Sequence, residues 1–190
     1  MTALELIKKG ATLLNVKEIL EDENLNNVTV ENQEECIDNN FALNRFFEIL
    51  KIMLNDIASD YAPIIKEKTF ISNNKVIDLN EIENLLKVCN VSIDKVPVKH
   101  KIVNKSIVTN FDGVFTVKYS VLPKLENLLD DIDVFDRGIS MDLLINGMLS
   151  LYCLAVGLLD EFEIYNDKYN KKLSALKNFK IIDMPCRRWE

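Results

Sequence analysis

One histidine, one tryptophan and five glycines in 190 residues leave little material for several common kinds of active site. None of the glycines falls in a G-x-G-x-x-G or G-x-x-x-x-G-K pattern, so the loops that cradle nucleotide phosphates are absent. The four cysteines, Cys36, Cys89, Cys153 and Cys186, are far apart and form no C-x-x-C pair, which argues against a zinc site or a disulfide scaffold and for reduced, mostly buried thiols. His100 stands between Lys99 and Lys101 with no serine or cysteine motif beside it, so it is expected on the surface of a strand and not in a catalytic triad. Basic residues are outnumbered: 23 Lys and Arg against 30 Asp and Glu give a net charge of −7. A protein built to hold phosphates needs the opposite balance.

The first residues, interrupted by Glu5, do not read as a secretory signal, so the expectation is a chain that is not exported. Leu143 to Leu159 carries no charge, a length at the short edge of a membrane span. Asn146, Gly147, Ser150 and Gly157 interrupt it and acidic residues flank it, so no membrane partner is expected. What remains, 48% apolar and 28% charged, is an ordinary globular composition, and a chain of this size buries about 70% of its unfolded surface.

Periodicity organises the chain. Leu4, Ile7, Leu13 and Leu14 recur at helical spacing behind a capping Thr2, which predicts a first helix from Thr2 to about Asn15. Glu21 to Glu35 is rich in Asn and Glu and is expected to be a loop with at most one extended turn. From Glu35 to Tyr61 the apolar positions Leu43, Phe46, Phe47, Leu50, Met53, Leu54, Ile57 and Tyr61 fill one stripe of a single long helix. Phe41 and Ile52 project from its other side, where either a second layer of the fold or a neighbouring subunit would have to cover them.

Pro63 ends that helix, and β-branched residues follow. Thr69-Phe70-Ile71 and Lys75-Val76-Ile77 are expected to pair as a hairpin, with further strands at Leu86 to Val91 and Val96 to Ile102, the latter at a sheet edge because of Pro97. Asp112-Gly113 between Ile107-Val108-Thr109 and Val114 to Tyr119 predicts the clearest hairpin.

After Pro123 comes an acidic stretch, Asp130, Asp131, Asp133 and Asp136, which could ligate Mg²⁺ or Ca²⁺ but lacks the glycine and terminal glutamate of an EF-hand and is expected to be a solvated loop. Ser140 caps a helix that is apolar all round and therefore expected to be buried on all sides, by its own domain or by neighbouring subunits. Gly157 breaks it, and an amphipathic helix resumes from Asp160 to Leu176. Residues 179–190 read as an extended tail, in which Arg187, Arg188 and Trp189 are of the types that dominate interface energy; docking within the chain and docking on another subunit both fit.

The expected fold class is α+β. Two N-terminal helices (1–62) and a C-terminal helical hairpin (124–178) are expected to form a helical bundle, with a strand-rich, hairpin-containing middle region (63–123) and an extended tail at 179–190, all in one domain of 1–190. No cofactor, metal or catalytic residue is expected.

In this order the elements resemble the head-to-tail adaptor proteins of tailed bacteriophages and prophages, a group that includes the tail-tube A proteins of short-tailed phages. The resemblance covers nearly the whole chain and is carried by Gly113 to Pro123, Leu128-Leu129-Asp130-Asp131-Asp133, Ile139-Ser140, Gly147, Leu151 to Ala155, Gly157, Tyr165 to Leu176 and Arg187-Arg188-Trp189. It implies a structural virion protein at the head–tail junction, assembled in the bacterial cytoplasm. There a ring of twelve copies would bind the portal protein, receive tail or neck proteins and pass genomic DNA without holding it. A tail terminator or tail-completion protein would share this logic. Phe41, Ile52, Arg187, Arg188 and Trp189 are the candidate contacts with other subunits or the portal.

Overall fold

The computed structural model describes residues 1–132 and 139–182, the last six of these as backbone only. The chain is α+β, with helices and two antiparallel sheets, and its described residues divide into two compact units: one made of residues 1–62 and the chain from Leu125 onward, the other of residues 63–124.

The helical unit begins with α1 (Ala3–Leu14), fixed at both ends by its own sequence. Thr2 Oγ1 accepts from the Glu5 amide while the Glu5 carboxylate accepts from the Thr2 amide, and Asn15 turns left-handed to end the helix. The Leu4 amide donates to the Leu128 carbonyl, tying α1 to the segment after Leu125.

After α1 comes a short helix, α2 (Lys17–Leu20); in the stretch from Glu21 to Glu35 expected to be a loop, one 3₁₀ turn (Glu23–Asn26) forms and α3 (Gln33–Asn39) begins at its end. Asn40 is the reason the expected long helix is two. Its backbone is extended, and its side-chain oxygen accepts from the Leu43 amide at 3.0 Å to cap α4 (Phe41–Asp56). A π turn, Ile57–Tyr61, finishes that helix. The predicted stripe is nonetheless its buried face, with Leu43, Phe46, Phe47, Leu50, Met53, Leu54 and Ile57 all out of water.

Ser140 caps α5 (Met141–Val156) as expected, Gly157 (φ 82°) ends it, and α6 (Leu159–Ile182) returns beside it. Residues 179–182, read as part of an extended tail, continue α6; the rest of that tail lies outside the described residues. Gly147 faces Tyr169, and Asp142 pairs with Lys172 at 2.9 Å, so α5 and α6 are antiparallel. Phe46 stacks on Tyr152 (centroids 3.9 Å apart) and Met53 meets Gly147, so α4 is antiparallel to α5 as well.

The second unit holds β1 (Ile64–Ile71), β2 (Val76–Asp78), β3 (Leu85–Ile93), β4 (Val96–Pro97), β5 (Lys101–Val103), β6 (Ser106–Val108) and β7 (Val114–Val121). One sheet runs β1-β7-β3-β4 and the other β2-β6-β5, every pair antiparallel. Neither expected hairpin forms as a pair of strands; of the first only the turn is present, with Asn73 and Val76 exchanging both backbone hydrogen bonds. β1 pairs along its whole length with β7, from Ile64 opposite Val121 to Ile71 opposite Val114, while β2 goes to β6 in the other sheet.

The reason lies at Asp112. Its carboxylate accepts from the Lys75 amide and from Ser72 Oγ, and Ser72 Oγ in turn accepts from the Gly113 amide, so Asp112-Gly113 clasps the chain after β1 and does not close a turn of its own. The long β1–β7 pairing then buries Ile64, Phe70, Phe115, Val117, Tyr119 and Val121. The expected strand at Val96 to Ile102 is split into β4 and β5, with Pro97 at the sheet edge as its missing amide requires.

Candidate interaction surfaces

Phe41 is the first residue of α4 and is 68% exposed; Ile52, three turns on, is 55% exposed. The Arg45 guanidinium lies over the Phe41 ring, 4.5 Å from its centre, a cation–π contact. Arg187, Arg188 and Trp189 lie outside the described residues.

A larger apolar surface sits where α5 turns into α6. α5 buries Leu143, Leu144, Met148, Leu149, Tyr152 and Cys153, with Ile145 and Leu151 half-buried and Met141 exposed at its start, but its last turn and the residues after it lie open: Leu154 is 50% exposed, Val156 and Leu158 are also in water, Leu159 is 61% exposed and Ile164 55%. Gly157 supplies the left-handed residue the turn needs, and the Leu158 amide donates to the Cys153 carbonyl. Of the two covers expected for this helix, its own domain or neighbouring subunits, the chain itself supplies the first only up to Cys153. The signal that could have found this surface is the uncharged run continuing past Gly157, since a turn between two helices is normally polar.

Phe41 belongs to the same end of the helical unit. Because α4 is antiparallel to α5 with Phe46 opposite Tyr152, the five residues back to Phe41 and the five forward to Gly157 extend in the same direction. Arg45 also acts electrostatically on Tyr152, whose phenol burial pushes up, with Glu18 adding to the rise and Arg45 opposing it. Ile52 sits further along, at the level of Gly147 and Met148.

The polar candidates take other roles. Asp130 accepts from the amides of Glu126 and Asn127, and Asp131 pairs with the amino group of Met1 at 2.9 Å, so both carboxylates are engaged in holding their own segment; Asp133 and Asp136 lie outside the described residues. No group of three or more potential metal-ligating side chains occurs among the described residues. His100 is exposed in a loop, not a strand, its Nδ1 2.9 Å from the Val98 carbonyl oxygen.

A cavity of about 320 Å³ lies between the 3₁₀ turn and α3, lined by Asp22, Glu23, Glu35, Cys36 and four asparagines. Burial and the neighbouring Asp22 and Glu35 carboxylates push the Cys36 thiol up, keeping it protonated and a poor nucleophile. Burial likewise raises Cys153, whereas Cys89 is exposed on β3.

No helix among the described residues is long and apolar enough to cross a membrane. No protein-family model matches the chain, and no curated protein matches it.

Proposed function

We propose that this chain is a structural head-to-tail adaptor subunit of a tailed phage or prophage: a non-enzymatic ring component, twelve copies to a ring, that binds the portal and presents a surface to the tail. The observation that carries the reading is the exposed apolar end of the helical unit, Phe41 with Leu154 to Leu159, on a chain whose composition is otherwise ordinary. Apolar surface concentrated at one end is what a subunit packed between copies of itself needs.

In this reading α1, α4 and the α5–α6 hairpin form the bundle that packs between neighbours, and the strand-rich unit is an insertion carried on it. The net charge of −7 supports a wall past which DNA moves without being gripped. The subunit works at the head–tail junction of the virion after assembly in the bacterial cytoplasm, with no cofactor. Purified protein mixed with the portal encoded beside it is expected to give a ring on the portal in negative-stain electron microscopy. Twelvefold rings support the adaptor, sixfold rings the tail-terminator alternative, and the absence of any ring on portal or tail tube overturns both.

A further inference from the structure

Scattered apolar side chains are normal on a surface; several gathered at one end of a helical unit are not. Leu154, Val156, Leu158 and Leu159 are exposed, as is Phe41 beneath the Arg45 guanidinium. The same end carries Asp160, Glu161 and Glu163, none of which is ion-paired among the described residues. The surface is thus apolar, with acidic side chains on its α6 side and the Arg45 guanidinium over Phe41 on its α4 side.

The segment after α6 has the matching chemistry: Met184, Pro185 and Trp189 are apolar, and Arg187 and Arg188 are basic. It cannot reach the surface within its own chain. α6 starts at the tip and runs away from it, so Ile182 lies about 35 Å from Leu159 at 1.5 Å per residue, whereas the seven residues to Trp189 span at most about 25 Å fully extended. A second copy has no such limit.

We propose that residues 183–190 of one copy dock on the α5–α6 tip of another, with Trp189 among Leu154, Leu158, Leu159 and Phe41, and Arg187 and Arg188 against Asp160, Glu161 and Glu163. The contact is head-to-tail, the kind that builds a ring or a filament and not a closed dimer. It deepens the ring reading, and rests on it only for the closure of the ring.

Trp189 is the only tryptophan, so tryptophan emission reports the surroundings of this segment alone. For the full chain, raising the concentration is expected to move the emission to shorter wavelength as sedimentation shows association. Leu159→Asp, which alters an exposed first-turn helix position where an acid is compatible with folding, is expected to weaken association at least about tenfold, as is Trp189→Ala. Mixing the two variants leaves one intact tip and one intact tail, so it is expected to give a 1:1 pair that grows no further. Emission independent of concentration, association of Leu159→Asp at wild-type strength, or a mixture that forms no pair would each overturn the proposal. No portal takes part in these measurements, so a failed adaptor reading would leave them unchanged.

Discussion

The Tyr169 ring lies against the bare Cα of Gly147, leaving no room for a side chain: a methyl group there would sit 2.5 Å from the ring's Cε2 and 2.6 Å from the Met53 sulfur. At this point side chains of α4 and α6 meet α5, and the glycine is what leaves room for them. Ordinarily alanine is the better helix former by about 1 kcal/mol, so the packing must outweigh propensity here.

Gly147→Ala is therefore expected to destabilise the protein by about 1–3 kcal/mol, read from urea unfolding. Gly10 makes a useful contrast. Its nearest atom, 2.5 Å from the added methyl, is Cε of Met148, the free end of a flexible side chain, so Gly10→Ala is expected to cost less. A Gly147→Ala protein as stable as the wild type would show that the three helices do not meet this closely.

Asn40 invites a second test, because one side chain joins three elements. Besides capping α4, its amide donates to the Glu18 carbonyl at 2.8 Å and the Asp22 carboxylate at 2.9 Å, and it is buried. Asn40→Ala leaves those partners unpaired and is expected to cost about 2–3 kcal/mol, more than the roughly 1 kcal/mol of an exposed cap. Asn40→Asp keeps the cap but sets a carboxylate beside Asp22, so it is expected to be destabilised too, and to regain stability at acid pH where alanine does not.

These residues also mark what the sequence could and could not disclose. Thr2, Ser140 and Gly157 were legible as helix boundaries because each acts within four residues of itself. The buried stripe of α4 was legible because burial repeats every 3.6 residues. Asn40 was not, since an asparagine inside an apolar period gives no sign that its side chain will cap the second half. The strand pairing was hidden for a different reason: Asp112-Gly113 is a strong local turn signal, but its carboxylate is bound by Ser72 and Lys75, forty residues away, and no local pattern encodes that. Of the candidate surface residues, Phe41 and Ile52 stood out because they break the period of their helix, while the α5–α6 tip matched the apolar pattern of a buried helix.

The turns of the strand-rich unit carry a measurable strain. Asp94-Lys95 joins β3 to β4 and Asn104-Lys105 joins β5 to β6, and all four residues have positive φ, with Lys95 at 68° and Lys105 at 59°. The first position of each is occupied by a residue that tolerates this region; the second is a lysine where such turns favour glycine. Left-handed backbone costs a residue with a Cβ about 1–2 kcal/mol, against up to about 1 kcal/mol for the freedom glycine loses. Lys95→Gly and Lys105→Gly are therefore expected to raise stability slightly, by a few tenths to about 1 kcal/mol in thermal unfolding, with the turns unchanged.

Alkaline titration tests the helical junction from the other side. Burial, with the Asp56 charge and Tyr61 adding to it, pushes the Tyr169 phenol up to about 12. An unfolded tyrosine titrates near 10. Below that value the phenol is protonated in both states and contributes no pH dependence. Between about 10 and 12 the unfolded chain releases a proton that the folded chain retains, so stability falls as pH rises, and the fall is complete above the folded value. Because the ring is partly exposed, the loss is expected to stay below about 2 kcal/mol. Burial also raises Tyr152, Tyr165, Cys36 and Cys153, which add slopes of the same sign, so the diagnostic quantity is a difference. Tyr169→Phe is expected to unfold along a shallower curve than the wild type between pH 10 and 12 and a parallel one below pH 8. Parallel curves over the whole range would show that the Tyr169 phenol is as well solvated folded as unfolded.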